Sequence, residues 1–206
     1  MVHAIMNFFT ENTYIINEDN RCYIIDPGAD LEEIVSYINT KDFDVEGILL
    51  THGHFDHILY INDVVNTYQC PVFIHEDERN FLFDPSLNLS STISKNIVFK
   101  HKQLIHTFST PFTLKLKDVS ITAYHTPGHT RGGVIYHYKD MLFTGDTLFK
   151  GTIGRSDLPT SDKKALMSSL KHIKSTFEDN TLLYPGHGPF TTLIEEKTDN
   201  QFLKML

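Results

Sequence analysis

Cysteine occurs only twice in the 206 residues, at Cys22 and Cys70, so at most one disulfide could form and a disulfide-stapled scaffold is excluded. Each cysteine lies beside apolar, strand-like sequence, where a buried reduced thiol is the expectation. No apolar run approaches the ~20 residues that a membrane-spanning helix requires. The start, Met1-Val2-His3-Ala4-Ile5-Met6, lacks a positively charged segment followed by an apolar one. A cytoplasmic protein is therefore expected. Positive charge is scarce too: 18 Lys and Arg against 26 Asp and Glu give a formal net charge of −8. Phosphate binding draws on clustered Lys and Arg, so neither nucleic acid nor an anionic membrane is an expected partner. No Pro-, Gly- or Ser-rich linker or change of composition divides the chain, and residues 1–206 read as a single domain. Apolar residues at 40% and charged residues at 21% exclude disorder and fibrous architectures.

What is present is β structure alternating with amphipathic helices. Thr13–Asn17 and Arg21–Asp26 are short runs of β-formers around the polar turn Glu18-Asp19-Asn20, which predicts a hairpin. Asp30-x-x-Glu33 reads as a capping box opening a helix whose apolar face is Leu31, Ile34, Val35 and Ile38. Gly47-Ile48-Leu49-Leu50 reads as a strand buried on both faces. Ile58, Ile61, Val65 and Tyr68 predict a helix from near His57 to just before Cys70-Pro71. Pro71–His75 reads as a strand, followed by a short charged helix and then a polar, exposed loop over Asp84–Asn96. Strands are expected near 112–117, 119–125, 133–138 and 140–144, pairing antiparallel across Lys117-Asp118 and Lys139-Asp140. Ser161-Asp162 caps a helix carrying Leu166, Leu170, Ile173 and Phe177, which must lie on a sheet. Thr181–Tyr184 reads as a last strand, and Thr192-x-x-Glu195 opens a final helix. Two sheets between outer helices bury all of these faces.

Twelve histidines are many for this length, and their contexts separate them. His3, His75, His101, His106, His137 and His172 lie in ordinary strand or helix sequence and read as surface or core residues; His125 fits neither group cleanly. Thr51-His52-Gly53-His54-Phe55-Asp56-His57, by contrast, packs four donors into the loop after a buried strand. His52 and His54, two apart on extended chain, can address one ion while Asp56 and His57 turn toward another. Thr126-Pro127-Gly128-His129 and Tyr184-Pro185-Gly186-His187 each stop a strand and place an imidazole at its rim. Gly145-Asp146-Thr147 offers a carboxylate able to bridge two ions ~3.5 to 4 Å apart. Seven donors exceed what one tetrahedral ion needs, which implies two divalent ions; nitrogen and carboxylate donors suit zinc best, with iron or manganese also compatible. Asp26, at a strand end, reads equally as a turn residue or as a carboxylate orienting a ligand imidazole.

These residues, in this order, resemble the metallo-β-lactamase-fold hydrolases, and among them the short, single-domain glyoxalase II (hydroxyacylglutathione hydrolase) type. The resemblance rests on Asp26-Pro27-Gly28, the Thr51–His57 motif, Thr126-Pro127-Gly128-His129-Thr130, Gly145-Asp146-Thr147-Leu148-Phe149 and Pro185-Gly186-His187-Gly188, and spans nearly the whole chain. It implies an α/β fold of αββα type, a four-layer sandwich. It also implies that His52, His54 and His129 hold one metal, that Asp56, His57 and His187 hold the other, and that Asp146 bridges them. Two departures bear on substrate. The helical domain that completes true glyoxalase II proteins is not expected here, since only Pro189–Leu206 follows the last motif. The lysine that meets the glycine carboxylate of glutathione aligns with Arg155, in Gly154-Arg155-Ser156-Asp157, and the neighbouring tyrosine with Asp157. Arg155 thus reads either as a substrate-binding cation or as one end of a salt bridge to Asp157 or Asp146 that shapes the loop.

A small-molecule thioester suits such a site. A metal-bridging hydroxide would attack the carbonyl with Asp56 orienting it, and a thiol of pKa ~8.5 leaves without a strong general acid. The Gly-Arg-Ser-Asp variant also resembles persulfide dioxygenases, which use one iron on a similar scaffold, so that reading stays open. A flavodiiron carrier would show Glu in place of His54, and an RNA-processing nuclease would need basic tracking surface. A purely structural metal module would need closed coordination. The Asp84–Asn96 loop, flanked by Phe81 and Phe83, is expected to cover the substrate. The apolar end Phe202-Leu203-Lys204-Met205-Leu206 is expected to dock on a sheet or on a neighbouring subunit, a homo-oligomer being compatible with either.

Overall fold

The computed structural model describes residues 1–93 and 95–206, and its chain divides into two compact units. The first comprises Met1–Ser109 with Lys115–Val119, the second Thr110–Leu114 with Ser120–Leu206. Among the described residues no helix is long and apolar enough to cross a membrane.

The first unit is a six-stranded sheet of β1 (Val2–Met6), β2 (Asn12–Glu18), β3 (Arg21–Ile25), β4 (Asp44–Leu49), β5 (Val72–His75) and β6 (Ile105–Phe108), hydrogen-bonded in that order. The expected hairpin is β2–β3, with Tyr14 opposite Ile25 and Glu18 opposite Arg21. Strands β3 to β6 run parallel, and the chain is buried from Gly47 in β4 through Leu50 just beyond it, as its unbroken apolar run demands. Helix α1 (Leu31–Lys41) buries Ile34 and Ile38, and α2 (Ile61–Tyr68) buries Ile61, Val64 and Val65. Both helices join the core of Ile5, Ile15, Ile24, Ile48, Val72 and Ile74.

Three local expectations are corrected here. Asp30 does cap α1, but it accepts from the amide of Glu32 at 2.9 Å, the second amide of the helix, instead of forming a box with Glu33. Helix α2 starts at Ile61 and not near His57, because residues 55–60 are consumed by tight turns, with the amides of His57, Ile58 and Ile61 bonded to carbonyls three residues back. The Asp84–Asn96 segment, in which Ser94 lies outside the described residues, is no simple exposed loop: Asn88 and Ser90 are wholly buried. Asn88 donates to the carbonyls of Phe81 and Ile97 and accepts from the Ser90 amide, and its own carbonyl accepts from Phe55. A buried amide that meets all these partners pins the segment to the chain beneath it.

The second unit carries most of β7 (Phe112–Leu116) and of β8 (Val119–His125), and all of β9 (Val134–Tyr138), β10 (Met141–Gly145), the short pair β11 (Leu148–Phe149) and β12 (Thr152–Ile153), helix α3 (Lys163–Thr176), β13 (Leu182–Pro185), β14 (Thr191–Thr192), α4 (Leu193–Asp199) and α5 (Gln201–Lys204). Its main sheet has the order β14-β13-β10-β9-β8-β7. Asp162 caps α3 by accepting from the amides of Lys164 and Ala165, and the predicted box of Thr192 and Glu195 opens α4. Leu166, Leu170 and Ile173 of α3 pack on Ile135, Leu142 and Leu183, so the helix does lie on the sheet. Leu203 joins the same core and Lys174 donates to its carbonyl, so the apolar end docks within its own chain.

Candidate metal centre

Strand direction positions the donors. In the first unit β3 and β4 are parallel, so Asp26 and Thr51 follow adjacent strand ends, joined by the Asp26 amide donating to the Leu49 carbonyl. In the second unit β10 and β13 are parallel, and β8 runs in the same sense because β9 is antiparallel to both β8 and β10. His129, Asp146 and His187 therefore leave three strands at one edge of that sheet, the rim at which sites are built.

The first unit gathers His52, His54 and His57. The rings of His52 and His54 lie 4.7 Å apart and those of His52 and His57 4.1 Å apart. Their proton positions follow from their partners. The Thr51 hydroxyl donates to Asp26 Oδ2 at 2.6 Å, so it must accept from His52 Nδ1, 3.1 Å away. Asp26 Oδ2 also faces His57 Nδ1 at 2.9 Å, and a carboxylate there keeps that nitrogen protonated. Protons held on both Nδ1 atoms leave the lone pairs on Nε2, the form in which imidazole binds metal. His52 Nε2 lies 3.1 Å from His54 Nδ1, near the about 3.3 Å that separates two nitrogens on a tetrahedral zinc with ~2.0 Å bonds. Asp26 thus acts as the orienting carboxylate, one of its two sequence readings. It adopts φ 51°, the left-handed region that Asp tolerates.

The carboxylate of Asp56 is half-buried, and its backbone is fixed: its carbonyl accepts from Asn7 Nδ2 at 3.2 Å. Asn7 also donates to the Gly28 carbonyl and to Glu11, a fully buried acid. Gly28 is required at this crossing, since a Cβ there would lie 1.8 Å from the Asp56 carbonyl. On the other side of the loop the buried carboxylate of Glu78 accepts from the Gly53 amide at 3.0 Å. Asn7, Glu11 and Glu78 carry no spacing that marks them in the sequence; Asn7 and Glu78 work through contacts with the loop backbone, and Glu11 through Asn7.

The second unit gathers His129, Asp146 and His187. His129 Nδ1 donates to the Arg155 carbonyl at 3.0 Å, which leaves the lone pair on Nε2, and that atom faces Asp146 Oδ2 at 3.4 Å. His187 Nε2 approaches the same oxygen at 3.7 Å, and its ring meets the edge of Phe149. A lone pair opposing an anionic oxygen is repulsive unless a cation sits with them, so this trio has the donor chemistry of a metal ligand set. Gly154 lets the following loop close onto it: a Cβ at that position would fall 1.8 Å from the Asp146 carbonyl. Each of the seven predicted donors belongs to a group of His and Asp atoms able to hold a metal ion.

The Metallo-beta-lactamase superfamily model matches residues 6–187 of the chain. The chain belongs to that superfamily. Among curated relatives, the probable metallo-hydrolase YqgX of Bacillus subtilis is 37% identical over 93% of this chain and 92% of its own length. The hydroxyacylglutathione hydrolase GloC of Haemophilus influenzae is 32% identical over 95% and 93%. Among solved structures, the BLEG-1 B3 metallo-β-lactamase superposes with a TM-score of 0.91 at 34% identity, covering 98% of this chain and 99% of its own. TTHA1623 in a di-iron-bound form gives 0.84 at 30% identity, covering 97% and 98%. The fold is thus that of the superfamily, and the His and Asp residues have the donor chemistry of metal ligands.

The remaining predicted residues divide plainly. Arg155 makes the two-pronged salt bridge with Asp157, Nε to Oδ1 at 2.9 Å and Nη2 to Oδ2 at 3.0 Å, and both side chains are exposed. The guanidinium holds the Asp157 carboxyl below the usual carboxylate range. His3 stacks on Tyr37 and His125 Nε2 meets the Arg131 carbonyl. Cys22 and Cys70 are buried thiols, as expected.

Proposed function

We propose that the protein is a two-metal hydrolase that cleaves a thioester, of the hydroxyacylglutathione type or a related acyl thiol. In this reading His52, His54 and His129 hold one divalent ion, Asp56, His57 and His187 a second, and Asp146 is shared. The observation that carries it is the approach of two imidazole Nε2 atoms to a single oxygen of Asp146, at 3.4 and 3.7 Å, which is what a bridging carboxylate requires. Membership of the superfamily and a relative named hydroxyacylglutathione hydrolase at 32% identity support it. Zinc suits the nitrogen-rich donor set, and the di-iron form of a 30% identical protein keeps iron as the competing metal.

Bound ions would supply Lewis acidity, bringing water close to neutral acidity and polarising a carbonyl. The chain's own groups do the rest. Asp26 and Thr51 hold the protons of His57 and His52 on Nδ1 throughout, so neither ring competes for the proton of the attacking water. Asp56, its backbone fixed by Asn7, orients that water toward the thioester carbon. The C–S bond then breaks with its electron pair on sulfur: one proton of the water stays with the acyl group as a carboxylic acid, the other is released to solvent, and the sulfur leaves as a thiolate. Since a thiol has pKa ~8.5, no general acid is needed to expel it. In this reading Arg155, paired with Asp157, would have to exchange that partner to meet an anionic end of the thiol carrier.

The test is metal analysis of the purified chain together with two assays. Zinc content near two per chain with hydrolysis of S-D-lactoylglutathione is expected. A single iron per chain, with oxygen uptake on glutathione persulfide and no thioester cleavage, would replace this reading with a dioxygenase.

A further inference from the structure

The short hairpin β11–β12 and the two residues after it touch every donor that the second unit supplies. Phe149 sets its ring edge against His187, with the centroids 5.9 Å apart. Past β12, Gly154 lies against the Asp146 carbonyl, and the Arg155 carbonyl accepts from His129 Nδ1 at 3.0 Å, the bond that keeps the His129 lone pair on Nε2. A ribbon with two residues in each strand has little stability of its own, so whatever holds its turn also sets where these contacts fall.

The turn is held by two buried polar side chains from the segment that follows the last histidine. Glu196, on α4, is 2% exposed, and Asn200, between α4 and α5, is fully buried. Glu196 Oε2 accepts from the Gly151 amide at 2.8 Å and from Asn200 Nδ2 at 2.9 Å, while Oε1 accepts from the Thr191 hydroxyl at 2.9 Å. Asn200 Nδ2 also donates to the Thr152 carbonyl at 3.1 Å, so the pair grips one donor and one acceptor of the hairpin backbone. Taking a carboxylate out of water is costly, and an apolar side chain of similar volume often serves stability as well or better. What the carboxylate adds, and an apolar side chain could not, is a fixed direction for the Gly151 amide.

From this we infer that Glu196, together with Asn200, is a positioning residue for the metal centre: it fixes the β11–β12 hairpin, and through it the carbonyl that orients His129 and the ring that packs on His187. The inference rests on the two-metal reading for the roles of His129 and His187, and it extends the centre to α4, beyond any of the proposed ligands. It does not depend on the substrate.

Two measurements on the purified full chain test it: zinc affinity by competition with a chromophoric chelator, and the visible ligand-field bands of the cobalt-loaded protein. Glu196→Ala should weaken zinc binding by about tenfold, the lower end of what an orienting partner contributes, and shift the cobalt bands. Glu196→Gln keeps an acceptor for the Gly151 amide and should restore both to within about threefold of the parent. Glu196→Leu keeps the bulk and removes the acceptors, so it should behave as Glu196→Ala does and carries the measurement if the smaller side chain prevents folding. Leu170→Ala opens a cavity in the same core without touching the hairpin, and should lower stability while leaving affinity and cobalt bands unchanged. Parent-like affinity and bands in Glu196→Leu, a Gln variant no better than the Leu one, or an equal loss in Leu170→Ala would overturn the inference. A parent that follows this affinity pattern yet cleaves no thioester would fail the hydrolytic reading alone, and a parent that cleaves it while Glu196→Leu keeps full affinity would fail the inference alone.

Discussion

Asp26 does more for the proposed centre than its place outside the ligand set suggests. One carboxylate accepts from the Thr51 amide, the Thr51 hydroxyl and His57 Nδ1, and through that hydroxyl it governs His52 as well. Orienting partners of this type typically contribute 10- to 100-fold in metal affinity. Asp26→Ala should therefore weaken zinc binding by about that factor in a chelator competition, and wild-type affinity in the variant would remove Asp26 from this role. Its sequence context, Asp-Pro-Gly at a strand end, suggested the role without deciding it, since the same three residues make an ordinary turn. What decides it is a contact across 31 positions. The candidate donors themselves were legible because metal chemistry restricts residue type and because strand rims are marked by Pro-Gly and Gly-Asp pairs. Two other single residues give a pH signature. Burial pushes the Cys22 thiol up to about 12 and the Cys70 thiol to about 11. Folded-state values above the unfolded one mean that the native chain keeps these protons longer, so their contribution is fully present below the ordinary thiol pKa and is lost as pH rises beyond it. Urea melts at rising pH should show stability falling from about pH 9, and Cys22→Ala with Cys70→Ala should flatten that slope even though it lowers stability at pH 8. An unchanged slope would show that the thiols do not set it.

At the scale of elements, the reading succeeded wherever periodicity or capping chemistry was strong. Helix α3 has its apolar residues at spacings of four and three, a double cap from Asp162 and a core to lie on. The hairpin β2–β3 has two runs of β-formers around a polar turn. The failures are cases in which tertiary contacts override local preference. Residues 55–60 carry the apolar spacing of a helix, but the loop must present Asp56 and His57, and the Asn7 and Asn88 contacts hold its backbone in turns. The polar composition of Asp84–Asn96 suggested solvent, whereas Asn88 uses its polarity inward. Asn88→Ala would orphan the carbonyls of Phe81 and Ile97 and the amide of Ser90, each worth about 1–3 kcal/mol when buried unsatisfied. Loss of several kcal/mol in a denaturant melt is the expected outcome, and because Phe55 bonds to the Asn88 carbonyl, KM for the best thioester should rise in the same variant. A variant as stable as the parent would mean that the segment relaxes and is not pinned by this side chain.

For the whole molecule the decisive quantity is the linkage between metal and folding. The donors proposed for two ions come from positions as distant as 52 and 187, and an ion held by groups so far apart in the chain has no equivalent site once the chain unfolds. A ligand that binds only the native state stabilises it by RT ln(1 + [L]/Kd), about 4 kcal/mol when it stands at a thousand times Kd. Some of that is forfeited here, because residues 52–57 keep four donors within six positions and bind metal weakly even when unfolded. For a chain of this length each kcal/mol moves Tm by about 2–4 °C, so stripping the metal should lower Tm by at most about 8–16 °C. The expected result is one calorimetric transition in the loaded protein, a lower one after dialysis against chelator, and recovery on adding zinc. Asp146→Asn should reduce the recovery more than Asp56→Asn does, since the carboxylate proposed to be shared serves both ions and Asp56 only one. A chelator-treated protein that melts within about 2 °C of the untreated one would mean that no ion bridges these distant segments, and the hydrolytic reading would lose its physical basis.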